Sequence, residues 1–589
     1  MLPDASIDDH SGVSPPSPSW AEATGAEPAS DSARHYYLLN FERALAWLGE
    51  RYDDIFGADE RAFLVEFSRL PKASRALLVR MLMRKGALFR ASRLSYAEIG
   101  CPLEAAEPLV ALGWIEAQPQ VSLDELFALT TRPELLQIFA NTTVSKCSRK
   151  SDLLDALRAT HDHMRGFADW YPQTSDQLFR VNVAPLCERL RLIFFGNLQQ
   201  GWSEFVLADL GVFQYETVAF AASSRAFQQR SDVDAYLALH ACREALETLA
   251  DPDQTMALVD AIQAVDTIDR GNAWLETRRA KLLFRVGQHC ERRQDWQAAL
   301  AVYARCTWPG ARHRRMRVME RCGDFEAAFA LAMLAVEAPE SEEERQRVAR
   351  MLPRLQRRLG HPPTRAGRTG TIERSVLVLP RPSEPFTVEY AARDHLDSAQ
   401  APVYYIENAL INSLFGLLCW DAVFTALPGA FFHPFQRGPA DLHAPDFHAR
   451  RAAQFAACFA QLDSGAYRET IVRHLASKAG LQSPFVFWGV LTPELVTQAL
   501  HCFPAAHLKL WFERLLRDIR SNRSGLPDLV RFWPAERRYE LIEVKGPGDR
   551  LQDNQIRWLD YCVEHGMPVR VLDVRWDDES IACSGEVAI

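Results

Sequence analysis

Two short segments near the end of the 589-residue chain carry side chains that could hydrolyse a phosphodiester. Asp528 stands in residues 525–530, Gly-Leu-Pro-Asp-Leu-Val, and Glu543 and Lys545 stand in residues 541–547, Leu-Ile-Glu-Val-Lys-Gly-Pro. Residues two apart on a strand point to the same face, so Glu543 and Lys545 are expected to face Asp528 across a hairpin. Two converging carboxylates bind a hard cation such as Mg²⁺ or Mn²⁺ through oxygen, and a neighbouring lysine can orient or deprotonate a water. These residues therefore predict metal-dependent hydrolysis.

The motif by itself has an ordinary alternative, which is an edge hairpin with solvated charges. Its surroundings favour chemistry, because an apolar strand ends abruptly in residues 545–548, Lys-Gly-Pro-Gly, and the next helix carries Gln555 and Trp558. Ionised carboxylates in a half-buried sheet are also costly unless a cation compensates them.

Three strands and one helix are predicted to position these residues. The predicted strands are residues 529–533, 539–545 and 569–574, each a β-rich run bounded by turn signals. A helix over residues 551–565 separates the last two strands, and another β-rich run covers residues 375–379. We expect residues 369–589 to form an α/β domain at the end of a multidomain, mostly α-helical chain.

Composition indicates a globular protein that works inside the cell. Hydrophobic residues make up 48% of the chain and charged residues 24%, close to the averages of soluble domains. No apolar run reaches the roughly 18–20 residues of a membrane span, and the N-terminus does not have the pattern of a secretory signal. The 12 cysteines are scattered without a Cys-x-x-Cys pair, which favours reduced thiols. We expect a cytoplasmic, nucleoid-associated protein, or a nuclear one if the source is eukaryotic.

The net charge of −9 conceals strongly basic stretches. Residues 1–33 hold six carboxylates and no Lys or Arg, and we expect them to form a disordered tail. Residues 270–321 hold thirteen Lys or Arg against four acids, and residues 345–368 hold eight Arg and no acid. This density is typical either of a nucleic-acid surface or of a solvated helical face. The candidate DNA-binding residues in the first basic stretch are Arg312, Arg314, Arg315 and Arg317.

Helical patterns fill the chain ahead of the α/β domain. Residues 34–120 are predicted as a helical N-terminal domain. Residues 121–185 contain a helix capped by Ser122 and Glu125 and a later helix start that resembles the SAP module of DNA-binding proteins. Lys146, Arg149 and Lys150 at that start suit phosphate contacts, although an exposed helix start with ordinary charges is the alternative.

One internal repeat lies in residues 186–368. Residues 295–301, Asp-Trp-Gln-Ala-Ala-Leu-Ala, recur 29 positions later as residues 324–330, Asp-Phe-Glu-Ala-Ala-Phe-Ala. This pattern resembles a degenerate tetratricopeptide array, in which stacked helical hairpins offer a long concave surface.

The motifs together resemble the VRR-NUC branch of the PD-(D/E)xK nucleases, and most closely the Fanconi-associated nuclease family. The resemblance rests on Gly-Leu-Pro-Asp, on residues 543–551, Glu-Val-Lys-Gly-Pro-Gly-Asp-Arg-Leu, and on Gln555-x-x-Trp558-Leu559. It runs from about Tyr36 to about Val574, with the SAP-like and tetratricopeptide-like parts in the family's order.

The resemblance implies further site residues. It places a metal-binding Glu on a helix ahead of the hairpin, at Glu407, and gives Gln555 a place on the helix beside the site. It also implies that the carbonyl oxygen of Val544 joins Glu407, Asp528 and Glu543 as metal ligands. Arg550, just beyond the hairpin, is a further candidate for DNA contact.

The same resemblance implies a structure-selective endonuclease that cuts branched double-stranded DNA near 5′ flaps, with 5′–3′ exonuclease activity, in interstrand crosslink repair. Larger relatives carry a ubiquitin-binding zinc finger. No Cys precedes Cys101, so we expect that finger, and recruitment through ubiquitin, to be absent. Two alternatives stay open: another branched-DNA nuclease such as a dimeric Holliday-junction resolvase, and a non-catalytic DNA-binding scaffold.

Overall fold

A computed structural model describes residues 35–140, 149–202, 213–249, 254–265, 272–362, 372–381 and 387–577. Within these ranges, no helix combines the length and the apolar character that a bilayer crossing needs. The chain divides into two compact units, one made of Met1–Val212 with Phe432–Phe435 and the other of Phe213–Phe431 with Gln436–Ile589. The predicted tail, residues 1–33, lies outside the described residues.

The first unit combines short helices with two small sheets. Its helices are α1 (Tyr36–Tyr52), α2 (Ala58–Arg69), α3 (Lys72–Leu82), α4 (Pro102–Ala111), α5 (Leu123–Leu129), α6 (Arg132–Ile138), α7 (Lys150–Arg158), α8 (Phe167–Trp170) and α9 (Ala184–Phe195). Its strands are β1 (Leu88–Arg90), β2 (Ile115–Ala117), β3 (Gln120–Val121), β4 (Arg165–Gly166) and β5 (Leu178–Val181). The sheet orders are β1-β5-β2 and β3-β4, both antiparallel. Strands of two to four residues are too short to show an alternating pattern, so the sequence predicted only the helices.

The first helix of the SAP-like region begins at the cap that the sequence predicts. Ser122 Oγ accepts from the Glu125 amide at 3.2 Å, while the Glu125 carboxylate accepts from the Ser122 amide at 2.9 Å. Leu126, Leu135 and Leu153, from α5, α6 and α7, are buried in one common core. These three helices therefore form the compact module that the sequence indicated.

The second unit begins with an array of antiparallel helices. They are α10 (Arg230–Thr248), α11 (Gln254–Ala264), α12 (Ala273–Arg292), α13 (Trp296–Ala304), α14 (Ala311–Cys322), α15 (Phe325–Glu337) and α16 (Glu342–Leu359). The repeated segments start α13 and α15, where the carboxylates of Asp295 and Asp324 each accept from the amide three residues on, at 3.1 Å. Ala299 and Ala328 are fully buried, as close packing of helical hairpins requires.

The remainder of the second unit is the predicted α/β domain. Its helices are α17 (Val388–Leu396), α18 (Leu410–Leu418), α19 (Trp420–Val423), α20 (Phe447–Arg450), α21 (Ala452–Ser464), α22 (Tyr467–Ser477), α23 (Pro493–Cys502), α24 (Ala505–Arg517), α25 (Ile519–Asn522) and α26 (Asp553–Glu564). Its strands are β6 (Glu373–Pro380), β7 (Val403–Tyr405), β8 (Leu529–Trp533), β9 (Arg538–Lys545) and β10 (Val569–Asp577). They form one sheet in the order β6-β10-β9-β8-β7.

Protein packs against both faces of this sheet. Val530, Leu541 and Val571 contribute to the larger core, whereas Ile542 and Val544 contribute to a smaller core on the other face. Ile542 and Val544 thus point away from the face that carries Glu543 and Lys545. Glu543 alternates with them and points to the same face as Leu541, which explains its complete burial.

Two ion pairs tie the helical array to the α/β domain. Arg514 of α24 reaches Glu342 of α16 at 2.5 Å, with the arginine side chain almost completely buried. Arg350 of α16 reaches Asp553, the first residue of α26, at 2.6 Å. The array thus holds two helices that flank the hairpin of β8 and β9.

Candidate active site

Strand register brings the candidate catalytic residues together. Leu529 pairs with Ile542 on one side and with Tyr405 on the other. Asp528, one residue earlier, therefore lies next to Glu543 on β9. It also lies at the end of β7, where its carbonyl oxygen accepts from the Ile406 amide at 2.8 Å. The predicted hairpin is confirmed, with the left-handed Arg537, φ 52°, closing its turn.

The Asp528 carboxylate is almost completely buried, with 5% of the residue exposed. Its Oδ2 accepts from the Val544 amide at 2.8 Å. Burial raises the pKa of Asp528 to about 6, while the Val544 amide and the Lys545 ammonium oppose that rise. Nearby Glu407 and Glu389 add to the rise through charge repulsion.

Glu543 is fully buried, and Lys545 lies beside it. The Lys545 ammonium is 2.7 Å from Glu543 Oε1. Burial, and after it the charge of Asp528, raises the pKa of Glu543 to about 8. Neither carboxylate oxygen meets a donor in hydrogen-bond geometry in the described part of the chain, so only the ion pair compensates this buried acid.

Glu407 belongs to the same site as Asp528 and Glu543. It does not lie on a helix, so the expected helical position was wrong. β7 ends at Tyr405 and α18 begins at Leu410, which leaves Glu407 on the turn between them. Asn408 adopts a left-handed conformation, φ 51°, which excludes a helix running back through Glu407. The Glu407 side chain is exposed, and its carboxylate accepts hydrogen bonds from the Tyr405 hydroxyl and, at 3.2 Å, from the Asn408 amide.

Three further residues near the site could not be predicted from the sequence. Tyr405 orients Glu407 through its hydroxyl. Asn408 also accepts from the Leu526 amide at 3.1 Å, which ties the Glu407 turn to the loop ahead of Asp528. Glu389, in the first turn of α17, adds a further negative charge close enough to raise the pKa of Asp528. These residues come from distant segments, and no spacing relates them to the motif.

The site resembles a cation site whose set of protein ligands is incomplete. A buried carboxylate without hydrogen bonds, beside a second buried carboxylate, is costly unless a cation joins them. In the described ranges no group of three or more His, Cys, Asp or Glu side chains is arranged to hold a metal. Glu407 and the Val544 carbonyl as third and fourth ligands therefore remain predictions, as do the catalytic roles of Asp528, Glu543 and Lys545.

Gln555 lies on α26 and has a structural partner there. Its Oε1 accepts from the Gln552 amide at 2.9 Å, and so caps the start of the helix. The neighbouring Asn554 packs against Gly525, whose φ of 92° and tight surroundings exclude any larger residue. The start of α26 thus supports the loop that leads into Asp528, and a catalytic role of Gln555 stays a prediction.

The candidate DNA-binding residues outside the array fall in different settings. Lys146 lies outside the described residues. Arg149, ahead of α7, is exposed, whereas Lys150 is half-buried and donates to the Thr130 carbonyl at 2.8 Å. Arg550 is exposed just beyond β9.

The array arginines differ among themselves. Arg312 is held by Glu344 in a bidentate contact, with the shorter distance 2.5 Å. Arg314 reaches Glu291 at 3.2 Å. Arg315 is half-buried, and Arg317 is exposed. Glu344 lies outside the basic stretch that was counted in the sequence, so the count alone overstated the charge available to a ligand.

A cleft of about 730 Å³ runs between the array and the segment that precedes the hairpin. We call it the near cleft. Its walls include Phe284 and Gln288 of α12, Arg314 of α14, and Arg520 and Ser524 ahead of Asp528. Its wall reaches Ser524, four residues before Asp528.

Models of known protein families match successive parts of the chain, in the same order as its motifs. The model of the VRR-NUC domain matches residues 462–576. The FAN1 HTH domain matches residues 35–116, and the Fanconi anemia-associated nuclease SAP domain matches residues 120–170.

A relative from Pseudomonas aeruginosa, Fanconi-associated nuclease 1 homolog, is 52% identical over 541 residues, which are 92% of this chain and 96% of the relative. The chain belongs to the Fanconi-associated nuclease family. The human Fanconi-associated nuclease 1 is 23% identical, and the match covers 93% of this chain but only 63% of that relative. The family resemblance of the sequence is confirmed, and with it the nuclease activity of this chain and its dependence on a divalent metal.

Solved structures of the family agree with this fold. The crystal structure of paFAN1 bound to DNA with a 2-nt 5′ flap and a gap matches with a TM-score of 0.87 and 52% identity, covering 94% of this chain and 99% of that one. The paFAN1 complex with a 1-nt 5′ flap matches with a TM-score of 0.85, covering 92% of this chain. The mostly helical architecture with a SAP domain and a C-terminal VRR-NUC nuclease domain is thereby confirmed.

Proposed function

We propose that this Fanconi-associated nuclease cuts branched double-stranded DNA in the duplex next to a 5′ flap, on the strand that bears the flap. The likeness to a relative bound to 5′-flap DNA, over 94% of this chain, carries the proposal. The 5′–3′ exonuclease activity and the role in interstrand crosslink repair follow from the same family. The protein would act on chromosomal DNA, at the nucleoid in a bacterium or in the nucleus if the source is eukaryotic.

The metal is Mg²⁺ or Mn²⁺ in this proposal. Asp528 and Glu543 would hold it with Glu407 and the Val544 carbonyl, an all-oxygen set that suits either ion. When bound, such a cation polarises the phosphoryl group and lowers the pKa of a coordinated water.

The protein residues then have separate tasks. The Val544 amide fixes the orientation of the Asp528 carboxylate, and Tyr405 and Asn408 fix that of Glu407. Lys545, 2.7 Å from Glu543, is placed to orient the attacking water and to offset negative charge on the phosphate as it is attacked.

DNA is held by residues away from the chemistry. The candidates are Lys146, Arg149 and Lys150 in the SAP domain, Arg550 beside the hairpin, and Arg312, Arg314, Arg315 and Arg317 in the array. Phosphate contacts of this kind select no sequence, so the choice of substrate would come from the shape and flexibility of a junction.

Cleavage of end-labelled DNAs tests this function. We expect 5′-flap DNA to be cut faster than a four-way junction or an unbranched duplex of the same sequence, and cutting to stop in chelator. Symmetric cutting of four-way junctions by a protein of dimeric solution mass would support the resolvase alternative instead. A wild-type protein that binds all three DNAs and cuts none would support the scaffold alternative.

A further inference from the structure

A second, smaller pocket lies farther along the same two helices of the array. It has a volume of about 360 Å³ and is lined by Glu291, Arg292, Gln294, Trp296, Arg317 and Arg321. We call it the far pocket. Its size is near the lower end of small-molecule sites, roughly 300–1,000 Å³, which suits a nucleotide and not a duplex.

Three of the residues that line the far pocket are exposed arginines, Arg292, Arg317 and Arg321. In the part of the chain that the structure describes, none of the three forms an ion pair or a hydrogen bond through its side chain. The single acid of the pocket, Glu291, is already engaged by the Tyr303 hydroxyl at 2.5 Å and by Arg314 at 3.2 Å. The pocket therefore offers positive charge to an anion from outside the protein.

The neighbouring repeat uses the equivalent residues differently. Arg317 and Arg321 lie six and two residues before the helix-ending Gly323, as Arg354 and Arg358 do before Gly360. In that later repeat, Arg354 pairs with Glu320 at 3.2 Å. The Arg358 guanidinium lies 5.6 Å from the ring of Phe325, the counterpart of Trp296.

The corresponding contacts are missing in the first repeat within the described residues. Glu291, 29 positions before Glu320, pairs with Arg314 and not with Arg317. No cation is recorded over Trp296, which is half-buried at the edge of the array's core. The first repeat thus leaves both an aromatic side chain and its arginines open to a ligand.

The far pocket adjoins the near cleft. Gln288 and Arg314 line the cleft, while Glu291 and Arg317 line the pocket, so each helix passes from one to the other within three residues. Residues three apart on a helix are neighbours on one face, so the two depressions lie next to each other along α12 and α14. From Glu276, in the cleft wall, to Glu291 the helix α12 rises about 22 Å. The strand of B-form DNA spans that length in about six nucleotides, and an extended strand in fewer.

We propose that the far pocket binds the single-stranded flap beyond its first few nucleotides, with a base against Trp296 and phosphates on Arg292, Arg317 and Arg321. Single strands are bound in this way, by cationic grooves whose aromatic side chains stack with exposed bases. A duplex offers no exposed base face to Trp296. This inference rests on the proposed flap-cutting function, and it adds a site that favours long flaps.

Binding of fluorescent DNAs with 2-nt and 12-nt 5′ flaps tests the proposal, measured by anisotropy in chelator so that no cutting occurs. We expect the wild type to bind the 12-nt flap about tenfold more tightly than the 2-nt flap. Arg321→Gln and Trp296→Leu should each reduce this advantage about fivefold, and Trp296→Phe should retain most of it, since stacking survives. Binding and cutting of the 2-nt flap should remain as in the wild type, which also shows that the variants fold.

The later repeat supplies matched controls. Arg358→Gln and Phe325→Leu should leave the long-flap advantage unchanged. A 12-nt flap made of abasic residues should lose the same part of the advantage as Trp296→Leu, and that variant should have no further effect on it.

The possible outcomes distinguish a failure of the far-pocket proposal from a failure of the proposed function. Equal binding of 2-nt and 12-nt flaps by the wild type, or an advantage that all variants keep, would overturn the far-pocket proposal while flap cutting stands. Failure of the wild type to cut any flap would instead refute the proposed function.

Discussion

The backbone amide of Val544 donates a hydrogen bond to Oδ2 of Asp528 at 2.8 Å across the hairpin of β8 and β9. One carboxylate oxygen of Asp528 is therefore held by the strand that also carries Glu543 and Lys545. The geometry of the acid pair is set by β-sheet register and not by a flexible loop, which has consequences for each residue of the site.

Asp528→Ala, Glu543→Gln and Lys545→Ala should each lower the rate of flap cleavage while DNA binding persists. We expect a loss of at least 100-fold for the carboxylates, which serve the metal, and about 10²–10⁴-fold for the lysine, in line with a group that handles a proton. Single-turnover cleavage and anisotropy binding measure the two properties separately. Wild-type cleavage in any of the three variants would contradict its assignment.

Much of this site could be predicted from the sequence, because it lies in two strands with a regular alternation and a clear turn. β8 spans the predicted residues, and Glu543 and Lys545 share a face of β9 as expected. Glu407 was harder. β7 has only three residues, and the turn after it depends on the left-handed Asn408, so neither leaves a periodic pattern.

The basic residues of the array could be counted from the sequence, but the sequence did not show which of them are available to a ligand. Thirteen basic residues against four acids were typical either of a nucleic-acid surface or of a solvated helical face. The fold brings Glu344, from outside that window, onto Arg312, and leaves Arg317 exposed. Which charges are available to a ligand depends on contacts between helices, and a single sequence does not contain that information.

Glu407→Gln should weaken metal binding more than it weakens DNA binding. The carboxylate is oriented by Tyr405 and Asn408, so removing its charge should raise the metal concentration for half-maximal cleavage about tenfold or more. Tyr405→Phe, which removes only the orienting hydroxyl, should raise it less. An unchanged metal titration in Glu407→Gln would show that Glu407 is not a ligand.

The cleavage rate should fall at low pH, and the pH at which it falls should depend on the metal concentration. The pKa of Asp528 is raised to about 6 and that of Glu543 to about 8, and both groups must be ionised to bind a cation. Protons and metal therefore compete between pH 6 and 8, so metal affinity rises as pH rises through this window. When binding releases one proton, a tenfold increase in Mg²⁺ should move the acid limb of the rate–pH curve down by about one pH unit. A limb that stays fixed at all metal concentrations would refute this competition.

Arg149→Glu should weaken binding to all DNAs and reduce its salt dependence. Arg149 is exposed ahead of α7, where helix amides and a cation can hold a phosphate. Loss of one phosphate contact lowers the slope of log K against log salt by about 0.9. Arg158→Gln, at the other end of α7, is the matched control, because Arg158 already pairs with Asp124 at 2.7 Å. Equal slopes in the wild type and Arg149→Glu would return Arg149 to an ordinary surface role.

Flap polarity is the most demanding prediction. The catalytic hairpin has few side chains that could read a base, so selection depends on shape, and a nick or flap junction bends most readily because stacking is already interrupted. These physical arguments do not distinguish the two polarities. The preference for a 5′ flap comes from the family and from the solved relatives with 5′-flap DNA. Flaps of equal length and sequence that differ only in polarity, labelled on each strand in turn, should show faster cutting of the 5′ flap, in the duplex beside the junction. Equal or faster cutting of the 3′ flap would defeat the polarity and leave the nuclease intact, whereas equal cutting of unbranched duplex would defeat selection by structure as well.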